Sequence, residues 1–345
     1  MTTVLPCGPS AMRAFVLTKY GGPDVADLRD VPPSEPGRGE IRIDVKAAGL
    51  NPVDFKTREG KLRVINRYAL PIVLGCELSG VVASVGDGVT RFRPGDEVFA
   101  RVAKDRLGAW AETACVHEDL VANKPATLDF VHAAAAPLAG LTALQAVRDE
   151  LAVGEGMRVF IPGGAGGVGT FAIQLAKHLG ATVATTASPR GRALVERLGA
   201  DVVVDYTTQV FTKELRDYDA AFDLVGGDTL RGTFSVVRRG GKVVSIAGLP
   251  EPTTATKDLH RGAGLATLFW FVSAGLRFRA WRAGVAYRYL FMRPSGKDLE
   301  VLASLVDAKK LEVVVDQVFP FAKIAEACAY LERGHAKGKV VVTMG

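Results

Sequence analysis

The first third of the chain alternates. Short apolar and β-branched runs at 14–17, 40–47, 80–85, 97–102 and 112–116 are separated by Gly21-Gly22-Pro23, Pro36-Gly37, Gly86-Asp87-Gly88 and Pro94-Gly95-Asp96. Alternation bounded by turn formers is the pattern of half-buried strands with tight connections. It predicts a small antiparallel barrel. Near Pro137 the period changes. Residues 138–151 have helical spacing. Beyond them strand-like runs (158–161, 182–186, 201–204, 220–225, 242–247) alternate with helical stretches at 169–179, 190–198 and near 228–237. Gly180 and Gly199 follow two of these stretches, where a left-handed cap commonly ends a helix. Such alternation implies a parallel sheet covered on both faces. A helix at 296–310 and strands at 312–319 and 339–343 are expected to rejoin the first domain.

A chain of 345 residues suits two domains of roughly 100–200 residues each. The four cysteines (Cys7, Cys76, Cys115 and Cys328) form no Cys-x-x-Cys pair, so neither a disulfide framework nor a zinc ribbon is indicated. Scattered thiols fit a reducing compartment, and a cytoplasmic location is expected. Residues 1–10 have neither a basic start nor an apolar run, so a secretory signal is not expected.

The net charge of +6 is concentrated. Between Leu259 and Lys297 there is no acid, but there are Arg261, Arg277, Arg279, Arg282, Arg288 and Arg293. The most apolar run of the chain, 264–275, lies inside this segment and is shorter than the ~20 residues that span a bilayer. One reading is a basic helix lying on a membrane surface. The other, preferred because no second anchor is visible, is a helix over the active site or at a subunit contact.

The richest motif is Arg158-Val-Phe-Ile-Pro-Gly-Gly-Ala-Gly-Gly-Val-Gly169. Gly164, Gly166 and Gly169, with Ala165, Gly167 and Val168 between them, satisfy G-x-G-x-x-G. Here the pattern follows a strand and opens a helix, the context it requires. Glycine permits the tight turn and a close approach of backbone to pyrophosphate, and the helix start binds the anion. An NAD binder would carry an acid about 20 residues on, for the ribose 2′-OH. Here the next strand ends Thr185-Thr186-Ala187-Ser188-Pro189-Arg190-Gly191-Arg192, with no acid before Glu196. A hydroxyl and guanidiniums suit a 2′-phosphate, which predicts NADPH. One of Arg190 and Arg192 is expected to be only an exposed residue of the helix start; Ser188 and Arg190 are taken as the phosphate contacts.

These residues, together with Ala48-Gly49-Leu50-Asn51-Pro52-Val53-Asp54, Gly75-Cys76-Glu77-Leu78-Ser79-Gly80, Phe92-Arg93-Pro94-Gly95-Asp96-Glu97-Val98, Leu198-Gly199-Ala200-Asp201 and Gly240-Gly241-Lys242, resemble the medium-chain dehydrogenase/reductase superfamily. The resemblance is to its zinc-independent quinone oxidoreductase branch, and most to enone and alkenal double-bond reductases. It covers essentially the whole chain. It implies an α/β fold: a GroES-like β-barrel catalytic domain (1–137 and 294–345) split around a Rossmann doubly wound parallel sheet (138–293). The active site would lie in the cleft between them, with the basic apolar segment 255–293 near that cleft or at a subunit contact. A monomer or homodimer is expected. The catalytic cysteine of zinc alcohol dehydrogenases is replaced by Asn51, the histidine of their Gly-His-Glu motif by Cys76, and the structural zinc loop falls at 102–111, without cysteine. No metal is expected, since zinc needs three or four protein ligands and Cys76 and Glu77 lack partners.

Without a Lewis acid the substrate must be easier to reduce than a plain carbonyl. A conjugated enone, an alkenal or a quinone accepts hydride at carbon and passes charge to oxygen, where a hydrogen-bond donor suffices. The resemblance places Asn51 near the nicotinamide, Lys56 near the substrate oxygen, Tyr68 on the pocket wall and Tyr206 against the adenosine phosphate. Lys56 is equally readable as a surface lysine paired to Asp54 or Glu59, and Tyr68 as ordinary packing. The alternative function is a non-catalytic NADPH-binding protein whose Arg-rich segment meets a membrane surface or RNA. No RNA motif supports the latter, and no nucleic-acid partner or transmembrane segment is expected.

Overall fold

A computed structural model describes residues 11–345. Cys7 and the rest of residues 1–10 lie outside the described residues. The chain divides into two compact units. One takes in the described residues up to Leu138 together with Pro294–Asp307 and Val315–Gly345; the other is Ala139–Arg293 with Ala308–Val314.

The first unit is built on the strand Glu40–Leu50. In its first half Ile41, Ile43 and Val45 are buried while Asp44 and Lys46 are exposed; from Ala47 to Leu50 every residue is buried. Alternation followed by full burial means a strand that starts at the surface and ends inside. Register shifts at Arg42/Ile43 and Val45/Ala47 bend it. It pairs antiparallel with Glu77–Val85, with Thr113–His117 and with the C-terminal strand Lys339–Thr343. The seven-stranded sheet runs Val315–Pro320, Lys339–Thr343, Glu40–Leu50, Glu77–Val85, Glu97–Arg101, Val121–Asn123, with Thr113–His117 also on Glu40–Leu50. A three-stranded sheet (Ala26–Val31, Met12–Leu17, Ile72–Val73) adds to it. Sequence reading missed Ala26–Val31 and Val121–Asn123, which are short and polar on one side.

The loop at 102–111 holds no cysteine and is fastened otherwise. Trp110, 1 % exposed, donates from Nε1 to the Gly49 carbonyl at 3.1 Å. The Tyr68 hydroxyl donates to the Lys104 carbonyl at 2.6 Å.

The second unit is a six-stranded sheet in the order Val202–Asp205, Thr182–Ala187, Arg158–Pro162, Tyr218–Asp223, Val237–Ser245, Ala286–Tyr289. Every pairing is parallel. This is the doubly wound order, and the chain reverses direction across the sheet beside Arg158–Pro162, the switch point at which such sheets take ligands. Phe160, Val183, Ala184 and Ala221 have no measurable exposure, as continuous apolar runs of a parallel sheet require. Helices Gly167–His178 and Pro189–Arg197 end before Gly180 (φ 85°) and Gly199 (φ 103°), both left-handed.

The sixth strand, Ala286–Tyr289, lies in the Arg-rich segment and carries no β-branched residue, so its sequence does not announce it. Its Arg288 differs from its neighbours in the chain. It is 5 % exposed, donates to Glu251 Oε1 at 3.0 Å and Asp258 Oδ1 at 2.6 Å, and stands 3.5 Å from Glu150 Oε2. Three carboxylates from separate parts of the chain converge on one guanidinium. Breaking a buried ion cluster by removing one partner costs far more than the net contribution of the intact cluster. Arg288→Ala is therefore expected to lower stability by about 3–5 kcal/mol. Urea denaturation checks this; a loss below ~1 kcal/mol would show that the three acids are compensated elsewhere.

Candidate functional site

The glycine turn joins the strand Arg158–Pro162 to the helix Gly167–His178. Its first amides are anchored by the neighbouring strand: Gly163 N–H donates to Thr186 Oγ1 at 2.9 Å and Gly164 N–H to Thr185 Oγ1 at 3.0 Å. Sequence reading treated these threonines only as the strand's end. Their function is to hold the turn.

The glycines serve different purposes. Gly163 sits at φ 83°. A Cβ on Gly164 would lie 2.2 Å from Thr185 Oγ1, and one on Gly169 2.6 Å from the Gly163 carbonyl, so the fold itself demands glycine at both. Gly166 is different. It is the N-cap of the helix with an ordinary extended conformation (φ −77°, ψ 169°), and a Cβ there would meet only the Gly163 oxygen, at 3.4 Å. Nothing in the protein requires glycine at 166. Ala165, Gly166, Gly167 and Val168 are all partly exposed, at the end of a helix whose first amides lack intrahelical acceptors.

The next strand, Thr182–Ala187, leads into the helix Pro189–Arg197 through Ser188, the N-cap, whose side chain makes no capping bond. Arg190 is exposed. Arg192 is committed to the protein, donating to Glu196 Oε1 at 2.9 Å and to the Val203 carbonyl at 3.0 Å. Tyr206, just past Val202–Asp205, is 61 % exposed.

In the first unit Asn51 caps the helix Pro52–Arg58 and is 3 % exposed. Its backbone N–H donates to Asp54 Oδ2 at 2.8 Å. Its Nδ2 donates to Glu77 Oε1 at 2.7 Å, and its Oδ1 accepts from Lys339 Nζ. Glu77 has no exposure; it also receives Lys339 Nζ at 2.7 Å and the Leu138 amide at 2.6 Å. Lys339 completes the cluster with a bond to the Leu50 carbonyl at 2.9 Å. The Asn51 amide is thus fixed in orientation by a buried cation and a buried anion. One amide hydrogen goes to Glu77, and an amide nitrogen carries two. Gly49 must be glycine here, since a Cβ would fall 2.2 Å from Glu77 Oε1. Sequence reading missed Lys339: it stands 288 positions from Asn51, and no local pattern links them.

Lys56 lies on the exposed side of the helix that Asn51 caps, and among the described residues it makes no ion pair; Glu59 pairs with Lys61 instead, at 2.7 Å. Burial of its stem, and then Lys61, draw the ammonium below its ordinary range. The Tyr68 phenol, pushed up to about 12 by burial, donates its hydrogen bond to the Lys104 carbonyl. The structure therefore brings Asn51 together with Asp54, Glu77 and Lys339 rather than with Lys56. Among the described residues no group of three or more His, Cys, Asp or Glu side chains is arranged to hold a metal ion.

A doubly wound sheet with a glycine turn at its switch point, joined in one chain to a mostly antiparallel seven-stranded sheet, defines a dehydrogenase-type protein. The chain belongs to the medium-chain dehydrogenase/reductase family. The profile of the alcohol dehydrogenase GroES-like domain matches residues 37–126, and that of the zinc-binding dehydrogenase matches 198–342. The chain is 38 % identical to the NADPH-dependent alkenal/one oxidoreductase of Arabidopsis thaliana, over 97 % of this chain and 80 % of that one. It is 35 % identical to the 2-methylene-furan-3-one reductase of Solanum lycopersicum, over 97 % and 79 %. Among solved structures, the quinone oxidoreductase of Coxiella burnetii superposes with a TM-score of 0.83 at 33 % identity, covering 96 % of this chain and 99 % of that one.

Asp54 makes the cluster pH-sensitive. Burial raises its carboxyl from 3.8 to about 6, against the lowering effect of its bonds from the Cys76 thiol and the Asn51 amide. A folded value above the unfolded one gives stability that is fully present below 3.8 and lost as pH rises through about 6. Asp54→Asn keeps an acceptor for Asn51 and cannot ionise. Relative to the wild type it is expected to gain up to about 3 kcal/mol between pH ~4 and ~7. Denaturant melts across that window check this; a pH-independent difference would contradict it.

Proposed function

We propose that this chain is an NADPH-dependent oxidoreductase. It reduces the conjugated C=C of α,β-unsaturated ketones and aldehydes, or quinones, by hydride transfer without zinc. The observation that carries the reading is the open face of the glycine turn at Gly166, where glycine serves no packing need and leaves room for a pyrophosphate at backbone distance. The relatives named for alkenal/one and furanone reduction support the substrate class.

The turn from Gly164 through Ala165, Gly166, Gly167 and Val168 to Gly169 holds the pyrophosphate against the helix start. Ser188, with its hydroxyl unused in capping, and Arg190 receive the 2′-phosphate, and Tyr206 lies beside the adenosine. When bound, NADPH supplies the hydride. Asn51 offers its second amide hydrogen to the substrate oxygen as charge develops there, while Glu77 and Lys339 keep the amide from turning. Lys56 is the second donor to that oxygen, and the ring of Tyr68 lines the pocket.

The donor set does not fit zinc. The Cys76 thiol is buried and bonded to Asp54, and both Glu77 oxygens are taken by Asn51, Lys339 and the Leu138 amide. The Lys339 ammonium already supplies the positive charge that Glu77 needs. A plain carbonyl would go unpolarised in such a site, whereas a conjugated acceptor needs only a hydrogen bond at oxygen.

Two neighbouring glycines separate fold from ligand. Gly164→Ala is expected to lower the melting temperature sharply. Gly166→Ser, at an N-cap where serine is favoured, should leave it unchanged while weakening NADPH binding at least ~10-fold. Retained NADPH affinity in Gly166→Ser would remove the basis of the proposal. NADPH consumption with a panel of enones, alkenals and quinones tests the reaction. Asn51→Ala is expected to cost about 100-fold in kcat on an enone, in line with loss of one preorganised donor. Full kcat in both Asn51→Ala and Lys56→Ala, or equal Kd values for NADH and NADPH, would overturn these assignments. Tight NADPH binding with no turnover on any acceptor would favour a non-catalytic binding protein.

A further inference from the structure

The Arg-rich segment remains unused by this chemistry. Its apolar run is not one helix. Ser273, buried, ends the helix Ala263–Val272 and starts Ala274–Ala283, with its Oγ donating to the Phe269 carbonyl at 2.6 Å. Both helices turn large apolar side chains outward. Leu268, Trp270, Phe271, Val272, Phe278 and Trp281 are between 46 % and 72 % exposed. They form two aromatic pairs: Trp270 edge-on to Phe271 at 5.0 Å, and Phe278 stacked on Trp281 at 5.7 Å. A groove of about 430 Å³ lined by Trp270, Phe278 and Trp281 connects the pairs. A water-facing surface rarely gathers this much apolar area without a partner.

The charge of the same segment is one-sided. Arg288 is buried among its carboxylates, and Arg293 faces Asp149 at 4.0 Å. Arg261, Arg277, Arg279 and Arg282 remain, and among the described residues none of them forms an ion pair. No acid occurs between Asp258 and Asp298.

We propose that the helices Ala263–Val272 and Ala274–Ala283 dock on an anionic lipid surface, aromatic rings at the headgroup boundary and arginines on the lipid phosphates. Trp and Phe beside Arg are the side chains that favour this boundary, because each joins apolar bulk to a polar or cationic end or to one close by. Arg277, with its guanidinium 5.6 Å over the Trp270 ring, can lay its stem on the apolar face and keep its charge in water. Ten residues per helix are too few to cross a bilayer but enough to lie in its surface, and no helix among the described residues is long and apolar enough to span. A second copy of the chain fits less well. A twofold contact through these two helices would set arginine against arginine with no acid of the segment to answer it. A nucleic acid fits less well too: the rings are engaged with one another rather than spaced for bases, and Leu268 and Val272 have no use against a phosphate backbone.

The chain carries its own probe. Of its three tryptophans, Trp110 is 1 % exposed while Trp270 and Trp281 are 47 % and 72 % exposed. The full chain should co-sediment with phosphatidylcholine vesicles containing about 30 % phosphatidylserine, with a blue shift of tryptophan emission, but not with phosphatidylcholine alone. Binding should weaken as salt shortens the screening length. Arg277→Gln/Arg279→Gln/Arg282→Gln should weaken it on the order of 100-fold, at roughly fivefold per basic residue. Phe271→Ser/Trp281→Ser, both at exposed positions, should abolish it with an unchanged melting temperature. The proposal is overturned by absence of co-sedimentation, or by vesicle binding that survives Phe271→Ser/Trp281→Ser. It is equally overturned by equal binding to poly(U) without an emission shift, or by a dimer that the same pair of substitutions dissociates.

Discussion

One buried carboxylate organises the first unit. Glu77 has no contact with water, and a carboxylate in that position is tolerable only if its charge and its lone pairs are met. Lys339 meets the charge, and Asn51 and the Leu138 amide meet the remaining lone pairs. These partners come from the helix cap at Asn51, the strand Lys339–Thr343 and the chain at Leu138. The same carboxylate excludes any side chain at Gly49. The orientation of the Asn51 amide, and with it any chemistry assigned to that amide, follows from how Glu77 is satisfied.

The second unit holds its glycine turn without charge. Its turn is held by two threonine hydroxyls, and glycine enters where a Cβ would strike the backbone or Thr185. Gly166 stands out because steric need does not account for it. Arginine likewise takes three forms within this unit: Arg288 buried as a structural counter-ion, Arg192 bonded to Glu196 and the Val203 carbonyl, and Arg279 and Arg282 in solvent beside exposed rings. Residue type alone does not distinguish these. Burial and the number of converging carboxylates do.

Much of the fold was legible in order. The period-2 runs around Ile41, Ile43 and Val45, and the glycines after two helices, mark elements because side-chain direction and backbone freedom are local properties. The strand–turn–helix at the glycine motif and the missing acid beyond Thr186 were legible for the same reason. Ala286–Tyr289 was not, since a short strand at the end of a sheet takes its identity from pairing with Val237–Ser245 rather than from its own composition.

The site was legible by halves. By itself the sequence determined two units, one parallel sheet, the strand–glycine turn–helix and the absence of an acid before Glu196, all of which rest on neighbours within about 30 residues. Only the tertiary structure decided that Lys339 fixes Asn51, that Lys56 faces solvent and that the Tyr68 hydroxyl donates to the Lys104 carbonyl. It alone divided the arginines into buried and exposed. Each of these depends on which distant groups share a low-dielectric interior, and a buried charge selects its partner by proximity in space, whatever the separation along the chain.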